Sequence, residues 1–204
     1  GNIFGQLVVW RDITERKMSE NARQRARDEM FILLNAISNA ASHSINLEDF
    51  LSESIYQIIY PFQSQAVAVF LVDDVEKDEN QQMLRLAAYY GISSLSVKDV
   101  SNVAIPASLF EQVITTRLPM VINNVKDDPS APDILKEMDL SSVILLPLYT
   151  QAGEDSKTLG ALCLARRDLD PYTSDEVVRL TAIAEQIANL IDSDRRRQLA
   201  IALS

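Results

Sequence analysis

The sequence predicts an α+β fold in which a mainly antiparallel sheet carries the terminal helices on one face and a lid of short helices and loops on the other. Strand-like segments dominate the middle of the 204-residue chain, and long helical segments flank them. This order of elements is typical of sheets that carry helices on one side. The segment Ala66–Val72 is apolar at every position, so both of its faces must be covered.

Composition indicates an ordinary globular domain with connecting helices. Apolar residues make up 47% of the chain and charged residues 24%. The formal charge of −10 disfavours binding to phosphate backbones and to anionic membrane surfaces. No apolar run approaches the roughly 20 residues that a membrane helix needs. We therefore expect no nucleic-acid partner and no membrane contact by this chain.

The N-terminal part is predicted to be a short strand followed by a long dimerising helix. Residues 6–10 (QLVVW) resemble a strand, and the hydroxyl of Thr14 is suited to cap the helix that follows. From there to residue 42 there is no Pro or Gly, and before Met30 the apolar face is thin and the rest of the helix surface is charged. A narrow apolar face on such a helix predicts a two-stranded coiled coil. The face consists of Met18, Ala22, Ala26, Met30, Leu33, Leu34, Ile37 and Ala41.

The C-terminal helix is predicted to begin at a capping box formed by Thr173 and Glu176. Its apolar residues Leu180, Ala184, Ile187 and Ile191 repeat at 4-3-4 spacing, which predicts a second seam. We therefore expect a parallel homodimer held by both terminal helices, with Ile187 in the seam. After Asp192 the seam turns polar, at Asp194 and Arg195, and residues 193–204 are interpreted as an outgoing linker helix.

The elements between the terminal helices follow from apolar periodicity and from Pro and Gly positions. A helix over 46–60 ends before Pro61, and an irregular segment follows Gly91. The remaining predicted elements are strands Ala66–Val72 and Met83–Tyr90, a helix over 107–116, a short strand Met120–Ile122, a small helix over 133–138, and the paired strands Ser142–Tyr149 and Thr158–Arg166.

Six segments in this order resemble the GAF domain family over residues 43–192. They are QAVAVFLVDD, LRLAAYYG, VAIPASLFEQVITTRLPMVINNVKDDP, SSVILLPLYT, TLGALCLARR and PYTSDEVVRLTAIAEQIANLI. The resemblance implies a GAF-like sheet and a sensory, often dimeric domain that precedes an output module. It also implies a ligand pocket between the sheet and a lid formed by residues 91–138.

The segment GQLVVWRDITERK (residues 5–17) resembles the last strand and exit of a PAS domain. This resemblance implies that residues 1–17 are the remnant of a PAS domain that precedes the fragment in a longer protein. Residues 18–42 would then be the signalling and dimerisation helix, followed by the sensory domain and by a downstream output domain.

Groups able to perform catalysis or bind a metal are scarce. His43 is the single histidine and Cys163 the single cysteine, so a triad, a Cys–His pair or a haem site would all need the same imidazole. A zinc site takes three or four His, Cys, Asp or Glu ligands. We expect no enzyme activity, no haem and no metal. Cys163 lies between two leucines, where a buried inert thiol is the usual state.

Cysteine usage also bears on location. One cysteine allows no intrachain disulfide and fits a reducing cytoplasm. The chain has no basic-then-apolar leader. We expect a cytoplasmic fragment, whose parent protein could be anchored in a membrane.

The resemblance also bears on cofactors. Bilin-binding members of the family carry a cysteine, usually beside a histidine, in the lid, and residues 91–138 contain neither. The Asn-Lys…Phe…Asp-Glu signature of cyclic-nucleotide-binding members does not match the lid either. A ligand is therefore expected to be small and non-covalent, with no bilin attached.

The predicted ligand site lies between Ala66–Val72 and the lid, where Phe70 is one candidate residue. Phe110 and Val113 are three apart on a predicted helix, so they share a face and are the best candidates for its inner wall. One of Tyr89 and Tyr90 should face inward, since neighbours on a strand alternate.

The predicted function is a regulatory sensory and dimerisation module of a signal-transduction protein, such as a sensor histidine kinase or a cyclic-dinucleotide enzyme. One alternative is a GAF-type methionine sulfoxide reductase, which needs several reactive cysteines. Another is a ligand-free dimer spacer, for which a close-packed interior at Phe110 would be expected.

Overall fold

The structure, a computed structural model, describes residues 3–72, 82–105, 108–150, 157–168 and 171–203, with the side chains of 3–16, 94 and 95 outside the described part. The chain divides into two compact units, residues 1–35 and residues 36–204. The first unit consists of most of the N-terminal helix. The second contains the sheet and every other element.

The described residues form six helices and six strands. The helices are α1 (Ile3–His43), α2 (Leu47–Ile59), α3 (Ser94–Val100), α4 (Leu109–Thr116), α5 (Asp133–Glu137) and α6 (Ser174–Ala202). The strands are β1 (Ala66–Val72), β2 (Met83–Tyr90), β3 (Asn102–Ala104), β4 (Met120–Ile122), β5 (Ser142–Tyr149) and β6 (Thr158–Arg166). Within this part of the chain no helix is both long and apolar enough to cross a bilayer.

The strands form one sheet in the order β3-β2-β1-β6-β5-β4, and each described pairing is antiparallel. The central strand β1 is apolar throughout and β6 is apolar between its end residues Thr158 and Arg166, as expected for strands covered on both faces. Helix α2 packs against β1 and β2, and α6 packs against β5 and β6. Helix α4 covers β5 and β6 from the lid side. The predicted α+β fold is confirmed.

Helix ends in the second unit follow local capping rules. The Asn46 side chain accepts a 2.8 Å hydrogen bond from the Asp49 amide at the start of α2. The predicted capping box at α6 is present, with Thr173 and Glu176 each accepting a bond from the other's amide. Ser93 caps α3, a helix in the segment that the sequence predicts to be irregular.

The predicted strand over residues 6–10 is wrong, because these residues lie inside α1, which begins at Ile3. A strand needs a neighbour for its backbone N–H and C=O groups, and none of the described strands pairs with this segment. A helix satisfies those groups within the segment itself. Thr14 is consequently inside the helix and does not cap it.

The predicted seam on α6 is also wrong. Leu180, Ala184, Ile187 and Ile191 are at most 1% exposed within the single chain, in the face of α6 that packs on the sheet. The 4-3-4 spacing indicates one apolar helix face. A helix that packs on a sheet and a helix in a coiled coil both show this spacing, so the spacing does not identify the partner. These residues therefore belong to the core of the domain.

Candidate functional site

An apolar cavity of about 220 Å³ lies between the sheet and the lid. Strands β1, β5 and β6 form its floor, and residues on and next to α3, α4 and α5 form its walls. The cavity occupies the position in which the sequence predicts a small ligand. The ligand itself stays a prediction.

Small side chains in the middle of the floor leave the space open. Ala66 pairs with Ala165, and Ala68 pairs with Cys163, across β1 and β6. Residues two apart on a strand point to the same face, so these four side chains lie together under the cavity. On the other side of β6, Leu145 of β5 lies opposite Cys163.

The lid brings larger apolar side chains over this floor. The ring of Phe110 on α4 lies 4.9 Å from the ring of Phe70 on β1, measured between centroids. Val100 from α3, and Leu135 and Met138 at α5, complete the walls. Short helices can line such a space because their backbone groups are satisfied locally while their side chains point inward.

Of the five side chains predicted for the site, Phe70 and Phe110 line the cavity. Val113 is fully buried in the apolar cluster behind the cavity wall, and it does not line the cavity. It packs among Ala165 and Leu145, whose side chains do reach the cavity. Its position on α4 is that of a supporting core residue.

Tyr89 and Tyr90 lie outside the cavity, with 49% and 39% of their surfaces exposed. The ring of Tyr90 packs edge-on against Tyr56 of α2, 5.9 Å between centroids, on the helix-bearing side of the sheet. Both tyrosines come at the end of β2. Tyr89 pairs with Ala68 and therefore lies on the cavity face of the sheet, but neither tyrosine lines the cavity, and a role for either in ligand binding stays a prediction.

A buried ionic cluster lies where β6 ends and α6 begins. The Arg166 guanidinium donates two hydrogen bonds, of 3.0 and 2.8 Å, to the carbonyl oxygen of Phe62. It also donates to Glu176, and it stacks over the Tyr172 ring, 4.2 Å from the centroid. The second oxygen of Glu176 accepts from Thr173. Arg166 thus joins three segments of the chain at the root of α6.

Comparison with known families identifies this arrangement. The model of the GAF domain family matches residues 44–192, which is most of the chain. The chain belongs to the GAF family. The GAF domain covers the sheet, the lid and most of α6, and with them the cavity and the Arg166 cluster.

Curated relatives of this GAF domain chain are transcriptional activators. The formate hydrogenlyase transcriptional activator of Salmonella typhimurium is 27% identical over 176 residues, which cover 83% of the chain. The match covers 24% of that protein, so the chain spans about a quarter of the length of the curated relatives it matches.

Solved structures show the same fold at low sequence identity. The GAF domain of a phosphoenolpyruvate-protein phosphotransferase from Coxiella burnetii superposes with a TM-score of 0.68 at 20% identity, covering 84% of this chain and 97% of that one. The free methionine-R-sulfoxide reductase of Neisseria meningitidis superposes with a TM-score of 0.65 at 16% identity, covering 81% and 89%.

The Cys163 thiol of this GAF domain borders the cavity, where it is half-buried among apolar side chains. Burial raises its pKa from 9.0 to about 12, because an apolar site disfavours the thiolate. The thiolate is the nucleophile in cysteine chemistry. A protonated thiol in this position is a poor nucleophile.

Alkylation measures this effect. A pKa raised from 9.0 to about 12 lowers the thiolate population at pH 8 by about two to three orders of magnitude. Iodoacetamide should therefore modify Cys163 at least about a hundredfold more slowly in the native protein than in guanidinium, as followed by mass spectrometry. Equal rates in the two states would show that the thiol is reactive and accessible.

Polar candidates for metal binding do not come together in the described residues. In that part of the chain, no three His, Cys, Asp or Glu side chains are placed to hold an ion. His43 is exposed at the end of α1, where its Nδ1 lies 2.8 Å from the carbonyl oxygen of Asn39. This contact accounts for the imidazole as a helix-end group. The absence of a metal requirement stays a prediction.

Proposed function

We propose that this GAF domain is a regulatory sensory module, in which occupation of the cavity changes the packing of the terminal helices. The observation that carries the proposal is the position of β6. Its residues Cys163 and Ala165 face the cavity, while Leu162 and Leu164 point to the opposite face, on which α6 packs. One strand therefore contacts both the site and the helix that leaves the domain.

The Arg166 cluster supports the same route. Arg166 follows Ala165 directly, and its ion pair with Glu176 holds the first turn of α6. A ligand that shifts β6 by binding better to one arrangement of the sheet would shift the population of α6 positions. Packed elements switch between discrete arrangements, so a small shift of β6 in the floor of the cavity can be transmitted to α6.

The domain is proposed to act as a parallel homodimer, with a second copy packing along the terminal helices. Support comes from large apolar side chains that the single chain leaves exposed. On α1, Met18, Phe31 and Ile32 are each about two-thirds exposed. At the end of α6, Leu199 and Ile201 are exposed to a similar degree. Large apolar side chains exposed on otherwise charged helices are candidates for an association surface.

Replacing both Phe31 and Ile32 by serine should convert the dimer into monomer, because it removes two large apolar side chains that α1 leaves exposed. Sedimentation velocity at high micromolar concentration checks this result. Tyr60→Ser is the matched control, since Tyr60 is 90% exposed but lies at the end of α2. A wild-type protein that sediments as a monomer would overturn the dimer proposal outright.

We propose no catalytic activity for the domain. The reductase whose fold it shares suggests sulfoxide chemistry as an alternative, but this chain has a single cysteine, with a raised thiol pKa. The spacer alternative predicts a close-packed interior at Phe110, and a cavity of about 220 Å³ at that side chain favours the sensory role. A free methionine sulfoxide reduction assay with thioredoxin as reductant would test the first point directly.

The parent protein is proposed to be a signal-transduction protein of the cytoplasm, with a PAS domain before this segment and an output domain after it. The signalling relative, a transcriptional activator about four times as long as the matched segment, supports the multidomain arrangement. A histidine kinase or a cyclic-dinucleotide enzyme is the proposed output.

A further inference from the structure

We infer that the cavity selects an uncharged, largely apolar molecule of about nine non-hydrogen atoms and rejects small carboxylates. The inference rests on the proposed sensory function and specifies its ligand class. It follows from the size of the cavity, from the side chains that form it and from the charge at its edge.

Size comes first. An engineered protein cavity of about 150 Å³ lined by apolar side chains accepts benzene, which has six carbon atoms. In proportion, the cavity of about 220 Å³ accommodates about nine non-hydrogen atoms. A substituted benzene, a small bicyclic ring or a short alcohol fits this limit, while a tetrapyrrole or a nucleotide exceeds it several-fold.

The walls offer almost nothing to a charged group. Among the lining residues that the structure describes, the polar side chains are Asp99, Ser108 and the Cys163 thiol, and none carries a positive charge. The Ser108 hydroxyl already donates a 2.8 Å hydrogen bond to the carbonyl oxygen of Ile105. A carboxylate entering the cavity would lose its hydration without gaining a cationic partner, which is strongly unfavourable.

The edge of the cavity adds a further barrier to anions. Asp99 is exposed and sits among the lining residues, so its carboxylate repels an approaching negative charge. The net charge of −10 acts in the same direction at longer range. The Ser108 oxygen and Asp99 can still accept a hydrogen bond from a neutral hydroxyl or amine on the ligand.

Benzyl alcohol and benzoate form a matched pair of probes, since they share a ring and a similar size and differ in charge. Calorimetric or ligand-observed NMR titration of the whole chain at pH 7 should give at least tenfold tighter binding for benzyl alcohol. Equal or tighter binding of benzoate would overturn the inference, and so would an absence of benzyl alcohol binding at millimolar concentration.

Variants of Cys163 locate the binding. Cys163→Leu adds bulk to the middle of the floor and should weaken benzyl alcohol binding at least tenfold, whereas the isosteric Cys163→Ser should keep it within about threefold. If Cys163→Leu fails to fold, Ala68→Val fills the neighbouring floor position and replaces it. Unchanged binding in the filled variant that folds would overturn the assignment to this cavity.

The titrations, combined with a distance measurement, test the ligand class and the sensory function separately. The sensory function is measured by the distance between the two outgoing helices of a dimer, with and without probe. Tight, selective benzyl alcohol binding that leaves this distance unchanged would contradict the sensory function and support the ligand class. If benzoate bound in the cavity and changed this distance, the result would support the sensory function and contradict the ligand class.

Discussion

Ile187→Asp is expected to unfold the domain. Ile187 is completely buried where α6 packs on the sheet. The new carboxylate would therefore lose its hydration, and the apolar packing around it would offer no cationic partner. Substitutions of this kind lower the free energy of unfolding by about 4 kcal/mol or more, a large part of the 5–15 kcal/mol that typical domains possess. Urea unfolding followed by circular dichroism measures the loss.

Asn189→Asp is the matched control for this prediction. Residue 189 lies two positions further along α6 on an exposed surface, and the substitution adds the same charge to the same helix. Its unfolding midpoint should stay close to that of the wild type. A folded Ile187→Asp monomer of normal stability would instead mean that Ile187 lies in a dimer seam.

Arg166→Met is expected to lower the free energy of unfolding by about 3 kcal/mol, because it leaves the partly buried Glu176 carboxylate without its ion-pair partner. The carbonyl oxygen of Phe62 loses both of its guanidinium hydrogen bonds as well. Arg167→Met is the control, since Arg167 is the next residue in the chain and is exposed. If the two variants unfold at the same urea concentration, the cluster does not stabilise the domain.

The same cluster makes stability depend on pH. Partial burial alone would raise the pKa of Glu176, but the hydrogen bonds from Arg166 and Thr173 outweigh it and hold the pKa below its usual value of 4.5. A lowered pKa in the folded state contributes stability that is present above pH 4.5 and is lost as the pH falls through the folded pKa. Wild-type stability should therefore fall more on acidification than that of Glu176→Gln. Equal acid dependence in the two proteins would contradict this role.

Sequence periodicity predicted the second unit well because local rules and packing agree there. The all-apolar β1 could only be a covered strand, and the Thr173–Glu176 pair defined the start of α6. Periodicity could not say what an apolar helix face packs against, and for that reason the face containing Ile187 was assigned to a dimer. At residues 6–10 the β-like composition was overridden by a continuous helix, which needs no partner strand.

The cavity was predicted in the right place, but the predicted residues include only part of its lining. Aromatic side chains suggested Tyr89 and Tyr90, which lie outside it, whereas the space comes from small side chains. Ala66 and Ala68 alternate with larger valines along β1, and this alternation is visible in the sequence. Their pairing with Ala165 and Cys163 is set by the register of β1 and β6, which only the fold reveals.

The distance between the outgoing helices in a dimer tests the central claim most directly. A nitroxide at Ala200→Cys, an exposed position near the end of α6, can be introduced in the Cys163→Ser background and measured by pulsed dipolar spectroscopy. Saturating benzyl alcohol should move the mean distance by about 1–2 Å or more, the range of helix shifts in switching proteins. A distance distribution that is unchanged at full occupancy of the cavity would contradict the proposed coupling between the cavity and the terminal helices.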